Sequence, residues 1–266
     1  MDVLTVKKIR EKKGRQPIVM LTAYDYVSAR ICESAGVDII LVGDSLAMTV
    51  LGYDSTIPVS VEEMLIFCKA VRRGAPNSFI VADMPFMSFQ IRVDLAVENA
   101  GRFVKEAGAN GVKLEGASDM VLSVIDRLVD AGIPVMGHIG LTPQSSVFTE
   151  GYKVKGRSVE DARALIAQAK ALEEAGVFAL VVECVPEPLG ADIADSVSVP
   201  VIGIGAGRFC DGQVLVFSDV VGAYDRFVPK FVRQYLNGYE LFHSAVVEFV
   251  EDVRTGKFPT EDNVYK

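Results

Sequence analysis

A charged side chain set in apolar sequence loses hydration unless it is paired, protonated or bound to a metal. Six residues of this chain stand in such settings. They are Asp44 in Gly43-Asp44-Ser45, Asp83 in Ala82-Asp83-Met84-Pro85, Lys113 and Glu115 in Val112-Lys113-Leu114-Glu115, His138 in Gly137-His138-Ile139-Gly140, and Glu183 in Val182-Glu183-Cys184. Asp44, Asp83 and Glu115 offer hard oxygen donors of the kind Mg²⁺ prefers. Lys113 and Glu115 lie two apart and share a face of any strand that carries them, so a simple salt bridge is the plain alternative. One lysine does not balance four carboxylates, counting Glu183, whereas a divalent cation does. Glu183 is suited to general acid or base work. His138 reads either as a satisfied core histidine or as part of the site, and His243 as structural. Cys184 should point the other way along its strand, into packing. Lys113 also allows a Schiff-base aldolase, but neighbouring acids would hold its amine as an unreactive ammonium.

These residues fall at the ends of short apolar runs, at 18–22, 39–43, 79–83, 111–114, 134–138, 179–182, 201–204 and 214–218. The runs alternate with longer segments of helical period, which is the signal for parallel βα units. Eight such runs in 266 residues match a (β/α)8 barrel, whose usual length is about 250 residues. We expect a single domain over 1–266, with an N-terminal helix near 3–14 and a C-terminal helix and tail over 231–266, the helix at about 231–250 closing the barrel. Active sites of such barrels sit at the C-terminal strand ends, so five successive charged ends converge on one rim. Ser60 with Glu63 and Ser158 with Asp161 read as capping boxes. The interval 206–213 is too short for a full helix, and 141–156 is too long for a turn and reads as a lid or binding loop. The run Gly203-Ile204-Gly205-Ala206-Gly207 fails the dinucleotide fingerprint, because residue 208 is arginine and no full helix follows.

Composition narrows the partners. With 27 Lys+Arg against 35 Asp+Glu, the net charge of −8 argues against nucleic acid or an anionic membrane. The basic run from Lys7 to Arg15 reads as the solvated face of the first helix. Apolar runs are too short and broken to span a bilayer, and none of signal-peptide length follows Met1. Cys32, Cys68, Cys184 and Cys210 form no CxxC pair, and with two histidines a Cys/His zinc site is disfavoured. A reduced, cytoplasmic enzyme is expected.

Taken together, the motifs resemble the ketopantoate hydroxymethyltransferase family. They are Thr22-Ala23-Tyr24-Asp25, Leu41-Val42-Gly43-Asp44-Ser45, Asp54-Ser55-Thr56, Ala70-Val71-Arg72-Arg73-Gly74-Ala75-Pro76, Ala82-Asp83-Met84-Pro85-Phe86-Met87, Gly137-His138-Ile139-Gly140-Leu141-Thr142-Pro143-Gln144, Glu183-Cys184-Val185-Pro186, Ile202-Gly203-Ile204-Gly205-Ala206-Gly207 and Asp211-Gly212-Gln213. The resemblance implies a (β/α)8 barrel of the phosphoenolpyruvate/pyruvate-like type, assembled as a decamer of two pentamer rings. It implies transfer of a hydroxymethyl group from 5,10-methylenetetrahydrofolate to the keto acid 3-methyl-2-oxobutanoate through an Mg²⁺-stabilised enolate, giving ketopantoate at the first step of pantothenate biosynthesis. By the same resemblance Asp44, Asp83 and Glu115 hold Mg²⁺ directly or through water, and Asp44, Ser45, Asp83 and Lys113 bind the keto acid. Glu183 acts as the base and His138 lies near the substrate. Phe67 and Cys68 depart from the family's His-Thr pair, and Ala47 from its usual glycine. Two rivals remain: a lyase for 2-methylisocitrate-like substrates on the same barrel, and a keto-acid sensor or oligomer scaffold. The latter should have lost some of the charged set.

Overall fold

The computed structural model describes residues 4–146 and 153–266. Its strands are β1 (Ile18–Thr22), β2 (Ile39–Val42), β3 (Phe79–Asp83), β4 (Gly111–Glu115), β5 (Val135–Gly140), β6 (Ala179–Glu183), β7 (Val201–Ile204) and β8 (Gly212–Leu215). All neighbours pair in parallel, and β1 pairs with β8, so the sheet closes on itself in sequence order. The helices are α1 (Val6–Glu11), α2 (Tyr26–Ala35), α3 (Leu46–Thr49), α4 (Val61–Gly74), α5 (Val93–Ala107), α6 (Asp119–Asp130), α7 (Pro143–Ser146), α8 (Val159–Glu174), α9 (Glu187–Ser196), α10 (Phe217–Val220) and α11 (Gly238–Thr255). The chain forms two compact units, Met1–Val216 and Phe217–Lys266, and the first carries the whole barrel.

Side chains alternate across a strand, so every second residue faces the barrel interior. Phe79 and Val81 of β3, Met136 of β5, and Ala179 and Val181 of β6 belong to one buried apolar cluster, which Ile9 of α1 joins. Two residues further along each of these strands come Asp83, His138 and Glu183. The interior is therefore apolar through its lower layers and ionisable in its top layer, and the alternation delivers those side chains inward.

The outer helices neighbour one another in order, α2 with α4, α4 with α5, α5 with α6, and α8 with α9. The full capping box at Ser60 is present: its hydroxyl accepts from Glu63 N, and the Glu63 carboxylate accepts from Ser60 N at 2.8 Å. At Ser158 only the first half forms. Asp161 is one methylene shorter than a glutamate, which leaves its carboxylate short of the cap amide.

Several boundaries differ from expectation. Helix α1 is shorter than 3–14 because Thr5 caps it, its hydroxyl accepting from Lys8 N. Nor is its basic run all solvated: Lys12 and Lys13 are mostly buried and pair with Asp38 and Asp211. β5 continues to Gly140, and β8 starts at Gly212, two residues earlier than expected, because its register with Ile18 of β1 decides where an undifferentiated apolar run begins. The barrel is closed by β1 and β8, not by the C-terminal helix. That helix starts at Gly238, whose N–H donates to Val221 O, and ends at Gly256. Of the long segment 141–156, residues 147–152 lie outside the described residues. No helix separates β7 from β8, as the short interval requires.

Replacing Ser60 by alanine removes an N-cap acceptor and is expected to cost about 1 kcal/mol. Thermal unfolding should then shift down by about 2–4 °C. An unchanged melting curve would mean that α4 does not depend on its cap.

Candidate active site

Strand register assembles the site. Asp83 of β3 is the partner of Lys113 of β4, Glu115 of β4 that of His138 of β5, and Gly140 of β5 that of Glu183 of β6. Each step around the barrel climbs towards the C-terminal rim, as strand stagger requires. The Lys113 ammonium meets Asp83 Oδ1 at 2.7 Å and His138 Nδ1 at 3.2 Å. His138 Nδ1 also lies 3.4 Å from Glu115 Oε1. On the other edge of the ring, Nε2 is 3.2 Å from Glu183 Oε2, but without hydrogen-bond alignment. Asp44 follows β2, and its backbone N–H donates to Asp83 Oδ2 at 3.1 Å.

All of these except Glu183 are buried; the Glu183 side chain keeps 16% of its surface exposed. Two glycines make room. Gly43 has Ser45 Oγ 2.9 Å from where a Cβ would stand. Gly140, at φ +93°, would put a Cβ 2.2 Å from Glu183 O, so only glycine lets β5 and β6 meet at the base of Glu183. The Ser45 hydroxyl is held by Tyr24 OH at 2.8 Å.

Electrostatics follow from this crowding. Burial raises the Asp44 carboxyl well above the usual carboxylate range, and Asp83 and Glu115 push it the same way. Burial also raises Asp83, although Lys113 opposes it. Burial alone would lower Lys113, but Asp83, Glu115 and Asp44 outweigh it and hold the ammonium charged. A Schiff-base role for Lys113 is therefore disfavoured, because the amine is not free to attack. For His138, burial and Lys113 pull downwards, and Glu115 with Glu183 reverse them, pushing it up to about 9. Both nitrogens are driven towards protonation, yet only one proton fits between Nζ and Nδ1 at 3.2 Å.

A family model described as ketopantoate hydroxymethyltransferase matches residues 3–261. The chain belongs to that family. It is 55% identical over 263 residues to the 3-methyl-2-oxobutanoate hydroxymethyltransferase of Pseudothermotoga lettingae, covering 99% of each chain. It is 53% identical over 266 residues to that of Carboxydothermus hydrogenoformans, covering 100% of this chain and 96% of the relative. Among solved structures, a 2,3-dimethylmalate lyase described as a PEP mutase/isocitrate lyase superfamily member aligns with a TM-score of 0.63 at 16% identity, covering 97% of this chain and 87% of that one. Phosphoenolpyruvate phosphomutase from Streptomyces platensis subsp. rosaceus aligns at 0.61 and 15% identity, covering 99% and 92%. At such identities the likeness is one of fold alone.

In this ketopantoate hydroxymethyltransferase family member, Asp44, Asp83, Lys113, Glu115, His138 and Glu183 form one connected group, and Ser45 adjoins it through the turn after β2. Among the described residues, no three His, Cys, Asp or Glu side chains converge closely enough to hold one ion directly. Cys184 makes no hydrogen bond to the group, and burial pushes its thiol up to about 12. Cys68 packs between helices, its Sγ facing Ala107 O, so that departure from the family pattern lies off the rim.

Sequence reasoning assigned no role to Gln144. Its side-chain amide donates to Asp44 Oδ2 and to Met84 O, each at 2.9 Å, while its backbone N–H donates to Glu115 Oε2 at 3.1 Å. It is the strut between two acids whose mutual repulsion would otherwise drive them apart. A polar residue within the first turn after a barrel strand, next to a proline, was the available signal. Gln144→Leu keeps the bulk and the backbone donor but removes both amide bonds. Activity should fall about 10–100-fold, as when a group orienting a ligand is lost. Unaltered steady-state rates in a folded variant would show that the acids hold their positions without it.

Proposed function

We infer that the chain transfers a hydroxymethyl group from 5,10-methylenetetrahydrofolate to 3-methyl-2-oxobutanoate, the first step of pantothenate biosynthesis. One water is consumed, and 2-dehydropantoate and tetrahydrofolate are released. The full-length family match and the relatives above 50% identity support the activity. The observation that carries the residue roles is the unbalanced top layer of the barrel, with Lys113 set against Asp44, Asp83, Glu115 and Glu183.

Forming a carbon–carbon bond at C3 of the keto acid means removing a weakly acidic proton beside a ketone while negative charge builds on the keto oxygen. Mg²⁺, when bound, supplies the Lewis acid for that charge. The residues fit this ion. They are hard carboxylates, and Asp44, Asp83 and Glu115 are buried together with one lysine to balance them. Mg²⁺ is commonly held by one or two carboxylates with waters completing its octahedron, so an open set suits it better than a closed cage. In this reading Asp44 and Asp83 hold the ion, and Glu115 completes the set through water.

The chain's own groups do the rest. The Lys113 ammonium and the Ser45 hydroxyl fix the substrate carboxylate, so the keto acid is oriented before any bond changes. Glu183 takes the C3 proton, and His138 steadies its carboxylate from the buried side. The enolate then attacks the one-carbon unit of the folate. Water must reach the adduct to supply the hydroxyl, and the partial exposure of Glu183 is compatible with that.

We also propose that the protein is a cytoplasmic homo-oligomer, a decamer by family resemblance. Within the second unit, α11 exposes Leu241, Phe242, Val246, Val247 and Phe249, more apolar surface than a solitary helix keeps in water. The four cysteines carry free thiols, as a reducing compartment favours. Among the described residues no helix is long and apolar enough to cross a membrane.

With Mg²⁺ and no folate, the protein in D₂O should exchange the C3 proton of 3-methyl-2-oxobutanoate, seen by NMR as loss of that signal, and EDTA should stop it. Glu183→Gln should still bind the keto acid but exchange about 10²–10⁴-fold more slowly. Asp83→Ala should weaken metal and keto acid together in titration calorimetry. Retained exchange in the first variant, or unchanged metal affinity in the second, removes that residue's role.

A further inference from the structure

The acid group leaves a neighbouring cleft unexplained. A cavity of about 840 Å³ opens beside the strand ends, within the roughly 300–1,000 Å³ range of small-molecule sites. Its inner wall is Gly116, Ile139 and Gly140, which immediately follow Glu115 and His138 on β4 and β5. Among the described residues its outer wall carries Lys153, Lys155 and Arg157 with one acid, Asp161. The cleft is tied to the base of Glu183 by two backbone bonds, Leu141 N to Glu183 O at 2.8 Å and Lys155 N to Cys184 O at 2.9 Å. Lys153 and Arg157 make no ion pair among the described residues. On a chain of net charge −8, Lys153 and Arg157 set two cations on one cleft wall. Such focusing recruits an anion that the rest of the surface repels.

We propose that this cleft receives the anionic glutamate tail of the folate co-substrate, with Lys153 and Arg157 as its carboxylate-binding residues. The proposal rests on the functional reading above and adds to it where the second substrate binds. A reduced folate is long and carries its charge at one end and its one-carbon unit away from that end. The one-carbon unit must reach the keto acid beside Glu183. The charged tail must then leave the rim, and the cleft begins at the strand ends next to Glu183 and turns basic on its outer wall. Arginine matches a carboxylate with two parallel N–H bonds, and lysine adds a point charge. Chains of several glutamates would gain more from this wall than a single one.

Binding can be measured apart from turnover. Tetrahydrofolate with one and with five glutamates is titrated calorimetrically into the Mg²⁺- and keto-acid-loaded protein, and into Lys153→Gln and Arg157→Gln. The pentaglutamate should bind the unaltered protein more tightly, and each variant should weaken it about tenfold or more, which corresponds to one charge-assisted contact. Added salt should narrow the difference between the two folates. In turnover, KM for the folate should rise while KM for the keto acid changes much less, and Arg157→Lys should recover part of the loss. Equal affinities for the two folates, or variants that leave pentaglutamate affinity intact, overturn the proposal. So does free pentaglutamate or inorganic triphosphate binding as tightly as the conjugate, since the cleft would then be a general anion site. An equal rise in both KM values would mark the variants as structural and likewise overturn it. If the folates bind as proposed but C3 exchange and transfer are absent, the reaction assignment fails while the tail site stands.

Discussion

The pairing of Lys113 with Asp83, buried at the centre of the top layer, is the interaction around which the rest of the site is arranged. An isolated buried pair gives little net stability, because the desolvation of two ions offsets most of their attraction. Here the lysine is also shared with Glu115 and Asp44, and its charge is spread over more carboxylate than it can neutralise. Removing the cation would leave several acids in a dry environment. Removing one acid would relieve repulsion among the others. The asymmetry suits a site that recruits positive charge and a polar substrate, and would be wasteful in a packing core.

A barrel can carry this burden because its layers are chemically distinct. Ile18, Met20, Ile39, Phe79 and Phe178 form a dry lower core, and Phe79 and Phe178 meet edge to face at 5.6 Å. Burial of that many large side chains, each contributing about 1.5–3 kcal/mol, offsets a costly top layer. The outer helices and their caps stabilise the strands from behind. Substitutions at the bottom should act mainly on stability and those at the rim mainly on chemistry, a division intrinsic to this architecture.

Much of this was legible in the chain alone, and the limits were physical. Strand alternation carries Phe79 and Val81 to Asp83, and Ala179 and Val181 to Glu183, so an inward face with an ionisable end could be read directly. The strand register that sets Glu115 beside His138 could not, since it depends on stagger around the closed barrel. Gln144 lies a hundred positions from Asp44 in sequence, and nothing local to either residue announces the 2.9 Å bond between them. Phe231, Val232, Tyr235 and Leu236 imitate helical spacing ahead of the C-terminal helix. The chain instead turns there, and its helix waits for Gly238. The run of like charge that holds Lys12 and Lys13 carries no sign of their distant partners, Asp38 and Asp211.

The rim sets one partly exposed carboxylate, Glu183, against a buried charged group, a contrast that suits the proposed reaction. Asp44, Asp83 and Lys113 are sealed off, where low dielectric strengthens every charge interaction. His138 is buried as deeply, in contact with both Lys113 and Glu183. Glu183 retains contact with solvent. A base at that boundary can take a carbon acid's proton inside and lose it outside, and water can enter for hydroxyl transfer without flooding the charged interior. Gly140 and Glu183, partners in the β5–β6 register, set that boundary. Moving the Glu183 carboxylate one layer down would bury it among the other acids. The alternation of β6, with Val181 beneath and Glu183 above, leaves no intermediate position.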